Sequence, residues 1–400
     1  MGPEEFTDPK PSPGPAAEDG EHGGTDVVAD TLAMRMRTKG LTAVVAVVAM
    51  FGLWGSPASS GIGGAPLRGR DVSGIRLPRQ LMVIHGTGER GTFLGRTGPF
   101  GAELPARRRP GTAARLVPGT ACTLFPSDNI WNTDISKAPV NAMSPTWLSS
   151  MAASTTDLHP DFGRPPYGLP FAIVGDSHPT VSIRFQYADE SDPGPYPFGP
   201  DIPLEQGSDR HALMVNRDTC TLFELYEAYW NNGSPVAGSG AIWNLASNAL
   251  RPDGWTSADA AGLPILPGLV RVDEVRAGFI GHAIRFTAQC TTQAHLWPAR
   301  HDAGQPNPSC PPMGARFRLK ASFDISGFSP AVQVVLRAMQ HYGMFLADNG
   351  SNWYFQGTED RRWTDSFLDQ LKQVPASAFE AIDESGLIVD PNSGQSKPCC

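Results

Sequence analysis

The stretch Asp209–Trp230, DRHALMVNRDTCTLFELYEAYW, constrains this chain more than any other. Two runs rich in β-forming residues flank a polar break, Asn216-Arg217-Asp218-Thr219, the pattern of an antiparallel hairpin. The loop is either Arg217-Asp218 or all four polar residues. Both choices set Val215 against Cys220, Leu213 against Leu222 and His211 against Glu224. Side chains alternate along a strand, so these six residues share one face. A three-residue loop would instead set Phe223 against His211.

The shared face is apolar near the turn and ends in a histidine beside a carboxylate. A carboxylate fixes the imidazole tautomer and raises its basicity, which suits a general acid or base. It equally suits a plain cross-strand polar contact. Asp209, His211 and Glu224 are therefore candidate catalytic residues. Asp348 joins them from Asp348-Asn349-Gly350, a sequence that also reads as an ordinary turn.

Carboxylates are dense in the proline-broken segment 188–203, ADESDPGPYPFGPDIP. Asp189, Glu190 and Asp192 could bind Ca²⁺ through oxygen, and Asp189 and Glu190 could contact sugar hydroxyls. A solvated acidic loop has the same composition. The spacing is not that of an EF-hand, and no CxxC or His/Cys zinc pattern occurs. No cofactor other than Ca²⁺ is expected.

Gly281–Thr287 alternates strictly, with His282, Ile284 and Phe286 on one face and Arg285 and Thr287 on the other. His282 reads as a core histidine, and Arg285 as an anion or substrate contact. Trp131, Tyr187 and Trp230 are candidate platforms for sugar rings, although aromatics also fill β cores. GxSxG and HExxH are both absent, so serine-esterase and common zinc-protease chemistry have no support.

The six cysteines are Cys122, Cys220, Cys290, Cys310, Cys399 and Cys400. An even set in an exported chain reads as disulfides, here Cys122–Cys220 and Cys290–Cys310 by proximity and elimination. Export is read from Arg35, Arg37 and Lys39, then an apolar run from Leu41 to Gly55, then small residues at Ala58-Ser59-Ser60. The run is short for a membrane span, which needs about 20 residues, so no stable span is expected after processing. The formal net charge of -8 and the lack of a domain-wide basic face argue against a nucleic-acid partner.

Residues 1–33 read as a disordered tail, 34–60 as a signal peptide, 61–117 as a Gly/Pro/Arg-rich linker, 118–390 as one β-rich domain and 391–400 as a polar tail. Helical spacing marks Ala331–Tyr342 and Asp365–Gln373. The expected fold is a sandwich or jelly roll of antiparallel sheets with two late helices, as a monomer.

The blocks DRHALMVNRDTCTLFELYEAYW, GWTSADAAGLPILPGLVRVDEV, GHAIRFT and YGMFLADNGSNWYF together resemble a family of exported, mostly bacterial proteins. The resemblance runs from about Cys122 to Glu384. It implies an exported β-rich protein and no particular catalytic residue.

Export, disulfides, carboxylate-rich loops and aromatics at strand ends point to a secreted polysaccharide-active enzyme acting on polysaccharide or cell-wall glycan. A glycoside hydrolase with a carboxylate/His site is the leading expectation. A polysaccharide lyase, with Arg285 neutralising a uronate, is an alternative. A carbohydrate-binding or cell-surface module without chemistry is another.

Overall fold

The computed structural model describes residues 116–400. They belong to one compact unit, Glu89–Cys400; a second unit, Met1–Gly88, lies outside the described residues, as do the segments read as tail, signal peptide and most of the linker. The domain is mostly strand, in mixed sheets, with four α-helices among the described residues.

The strands are β1 (His159–Asp161), β2 (Ala172–Val174), β3 (Arg184–Phe185), β4 (Ala212–Asn216), β5 (Thr221–Tyr226), β6 (Val236–Ala237), β7 (Ser239–Asn244), β8 (Ile284–Ala288), β9 (Thr292–His295), β10 (Pro312–Met313), β11 (Arg316–Leu319), β12 (Met344–Asn349), β13 (Tyr354–Gln356) and β14 (Phe379–Ala381). The helices are α1 (Ser144–Ser150), α2 (Val272–Ala277), α3 (Pro330–His341) and α4 (Asp365–Leu371). One sheet has the order β1-β13-β8-β12-β11-β14 and another β2-β4-β5-β7. The β-rich expectation holds. The sheets are not purely antiparallel, because β1 with β13, β8 with β12 and β2 with β4 run parallel.

β4 lacks polar alternation because it is buried on both faces. Leu213 and Val215 pack into the main core with Leu222 and Trp243, while Ala212 and Met214 join a smaller core with Tyr196 and Phe198. The late helices form as their apolar spacing predicts. Val332, Val335, Leu336 and Met339 of α3 are buried, and Gly343 follows the helix at φ 64.

The hairpin forms with a different register. Asn216 pairs with Thr221 and Leu213 with Glu224, so the loop is Arg217–Cys220. Asn216 Oδ1 accepts from the N–H groups of Asp218 and Thr219, closing the turn at 2.9 and 3.2 Å. Cys220 adopts φ 53 and leaves the ladder to join Cys122. The ladder therefore slides by two residues relative to the expected pairing. A two-residue slide preserves which face each side chain takes, so Leu213, Val215, Leu222 and Glu224 still share the core face. It also breaks the expected pairing of His211 with Glu224 and brings Tyr226 opposite His211.

Disulfides join Cys122 to Cys220 and Cys290 to Cys310, as the cysteine arithmetic predicts. Cys399 and Cys400 form a third. The terminal segment 391–400 is not a free tail. Ile130 N donates to Gly394 O, Ser396 N to Asp128 O and Lys397 N to Leu387 O, each at 2.8 Å. Cys399 packs against the main core.

Candidate functional site

The geometry of the site begins with a row across the six-stranded sheet. Asp161 on β1 lies beside Gln356 on β13. Tyr354 faces Thr287 and Phe355 faces Phe286, so the next pairing brings Gln356 beside Arg285 of β8. Arg285 Nη1 donates to Gln356 Oε1. On its other side Phe345 of β12 pairs with Arg285 and Leu346 with Phe286, but Thr287 then pairs with Asp348, skipping Ala347. This bulge decides where Asp348 points. An unbroken ladder would set Ala347 on the face of Arg285 and turn Asp348 away; the extra residue rotates Asp348 onto that face.

The loop above the row carries Asp259. Ala261 N donates to the carbonyl of Ala347 at 3.0 Å, docking the loop on the bulge itself. Ser257 Oγ donates to the carbonyls of Asp259 and Leu263, and Ala261 N donates to Asp259 Oδ1. These local bonds fix the segment as an ordered loop. Arg285 Nη2 lies 2.9 Å from Asp259 Oδ2 and 3.6 Å from Asp348 Oδ2. Gly268 closes the same face from another side; a Cβ there would lie 3.0 Å from the Cβ of Arg285.

Charge follows from this enclosure. Burial pushes Asp259 up to about 7, with Asp348 adding to the effect and Arg285 opposing it. Burial also raises Asp348, against the pull of Arg285 and His211, while the charge of Asp209 raises it further. One guanidinium shared by two carboxyls does not fully stabilise both as anions. Asp348 keeps a quarter of its side-chain surface exposed, whereas Asp259 and Arg285 keep none.

His211 sits at the start of β4, on the neighbouring wall. Its Nδ1 lies 2.5 Å from Glu205 Oε2 and its Nε2 lies 2.9 Å from the carbonyl of Ala258. Both ring nitrogens face acceptors, an arrangement that favours the imidazolium form. Burial lowers the imidazole pKa, but the hydrogen bond and charge of Glu205 outweigh it and leave it above the ordinary value. Burial would raise Glu205; the bond to His211 outweighs that and holds it low. Glu224 is the carboxylate that the sequence pairs with His211. It instead accepts from Trp243 Nε1 and from the N–H groups of Ile265 and Leu266, fully enclosed, with its pKa raised by burial. It braces the 265–266 turn from beneath.

The expected site residues thus divide. His211, Asp209, Arg285 and Asp348 come together. Asp209 is exposed, and its charge reaches Asp161, Tyr226 and Asp348. Arg285 is not an open anion contact, because Asp259 and Gln356 already hold it. Trp131 is not a sugar platform; it is buried edge-on against Phe345 at 4.9 Å. Trp230 is half-buried, edge-on to Phe198, and Tyr187 stands 45% exposed. The Ca²⁺ reading of the 188–203 loop fails on geometry. Asp192 Oδ2 is taken by Arg251 Nη1 at 2.5 Å and by Ile242 N, and Glu190 Oε2 accepts from Thr256 N. Asp189 is left exposed. No group of three or more metal-binding side chains occurs among the described residues.

Asp161, Glu205, Tyr226, Asp259 and Gln356 complete the site and were not anticipated. Only Glu205 had a usable signal, a carboxylate six residues before His211 on the approach to the strand. The others arrive from separate loops and strands. No protein-family model, curated protein or solved structure matches the chain.

Proposed function

We propose that this protein is an exported glycan hydrolase in which Asp348 is the general acid. The observation that carries this reading is a solvent-touching carboxyl whose acidity is weakened by burial, fixed against an enclosed Arg285–Asp259 pair. A carboxylic acid whose pKa is raised holds more readily the proton that it delivers to a glycosidic oxygen as the C–O bond breaks. Asp209 supplies the second carboxylate, taking a proton from the attacking water. Asp161 is exposed beside Gln356 in the same row of the sheet, and the exposed ring of Tyr187 offers a stacking surface near Tyr226.

His211 has a positioning role in this scheme. Its Nε2 is occupied by the Ala258 carbonyl, so it anchors the loop that carries Asp259 and adds positive charge near Asp348. The hydrolase is favoured over a lyase because the enclosed Arg285 has no free face for a uronate carboxylate. Export is supported by the n-region, apolar run and small-residue sequence at 34–60 together with the disulfides. No helix among the described residues is long and apolar enough to cross a membrane.

Reducing-end release from a panel of neutral and acidic polysaccharides tests the proposal. Wild type should release ends from at least one polymer, and Asp348→Asn should not. Saturable binding of a polymer with no release by wild type would replace the hydrolase with a non-catalytic module.

A further inference from the structure

A recess of about 460 Å³ opens between the first turns of the domain and its C-terminal segment, built from elements other than those of the carboxylate site. That volume is within the range of sites for small organic ligands. Its floor is Asn132, whose amide nitrogen donates to the carbonyls of Leu124 and Pro126 at 3.0 and 2.8 Å. Asn132 is nine-tenths buried and lines the recess, and with its amide nitrogen committed to those carbonyls its Oδ1 is the acceptor left over. The hydroxyl of Ser136 lines the wall.

The charges in the recess are unequal in what they have left to give. Asp128 accepts from Asn248 and Gln395, which hold its carboxyl below the usual range. Asp134 accepts from the backbone of Ser136 and from His341; burial opposes these bonds, yet its pKa is lowered. Both carboxylates are thus committed to the walls. Lys137 and Lys397 both line the recess, and neither forms an ion pair among the described residues. Their positions are set by rigid backbone. Arg318 Nη1 binds the carbonyls of Ile135 and Ala138, pinning the turn that carries Lys137. Lys397 is held by its own N–H to the carbonyl of Leu387.

Two unpaired ammonium groups, a hydroxyl and a buried amide oxygen present donors for an anion and an acceptor for a hydroxyl. We propose that this recess binds a saccharide ring bearing one oxyanion, whether carboxylate or phosphate. The lysines neutralise the anion, and Asn132 Oδ1 accepts from a ring hydroxyl. On a protein that works on glycans, such a site would tether an acidic polymer away from the carboxylate site. Its existence does not depend on that activity.

Calorimetric titration of the full chain at low salt tests it, with glucuronate, glucose 6-phosphate, glucose and inorganic phosphate as probes. Both charged sugars should saturate one site and bind about tenfold more tightly than glucose or phosphate alone. Lys137→Gln/Lys397→Gln should lower their affinity about tenfold, with the melting temperature unchanged. Glucose binding as tightly as the charged sugars, phosphate binding as tightly as glucose 6-phosphate, or a double variant with unaltered affinity would each overturn the proposal.

Discussion

Arg285 Nη2 lies 2.9 Å from Asp259 Oδ2, with neither side chain touching solvent. The pair links β8 of the large sheet to the loop that His211 also grips through the Ala258 carbonyl. Two walls of the candidate site are therefore tied to one loop. Changes at Asp259, Arg285 and His211 should behave as a coupled set rather than as independent losses.

Removing one member of an enclosed ion pair leaves the other charge without compensation. Arg285→Met should cost about 3–5 kcal/mol. Adding Asp259→Leu to that variant should recover part of the loss, because the second apolar group removes the orphaned carboxyl. Urea unfolding of both single variants and the double variant measures the coupling. Additive losses would show that the pair does not act as a unit.

The His211–Glu205 pair sets a pH window. The folded pKa of His211 is raised above 6.5, so its contribution is complete below 6.5 and fades as pH rises through the folded value. The folded pKa of Glu205 is lowered below 4.5, so its contribution is complete above 4.5 and fades as pH falls through the folded value. Together they contribute most between 4.5 and 6.5. Asp259 adds to the acid side: its folded pKa of about 7 favours folding below 3.8 and loses that effect as pH rises through 7. Melting temperature against pH, compared with Glu205→Gln, should show the variant losing most in that window. An equal loss at pH 9 would contradict the assignment.

The bulge leaves Ala347 unpaired and sets Asp348 opposite Thr287, on the face of Arg285. Asp348→Asn should lower polymer hydrolysis by about 10²–10⁴-fold. Asp348→Asn keeps the backbone, so it should retain the wild-type circular dichroism spectrum while losing turnover. Retained turnover in Asp348→Asn would exclude Asp348 as the acid.

The two long-range disulfides should differ in weight. Cys122–Cys220 spans a separation of 98 residues and Cys290–Cys310 one of 20. In the chain-entropy model the longer loop stabilises by about 1.4 kcal/mol more. Paired Cys→Ser variants compared in urea should show the larger loss at Cys122/Cys220. The reverse order would point to lost packing around Cys310, which is buried, as the larger effect.

What the chain determines by itself is local. Polar residues between β-forming runs make the hairpin, and period-two alternation assigns its faces correctly even though the ladder slides by two. Apolar spacing makes α3 and α4, and the cysteine positions give both long-range pairs. Each rests on forces that act within a few residues or on a small count of partners. The register was decided by Cys220, whose left-handed backbone and bond to Cys122 drew it out of the ladder. The site was decided further away still. Asp161, Asp259 and Gln356 meet Arg285 only because sheet order, a bulge and a docked loop bring distant segments together, and no local pattern encodes such a meeting. Burial of Trp131 and enclosure of Arg285 have the same origin. Side-chain alternation tells which face a residue takes, and only the packing of the remaining elements decides whether that face meets water.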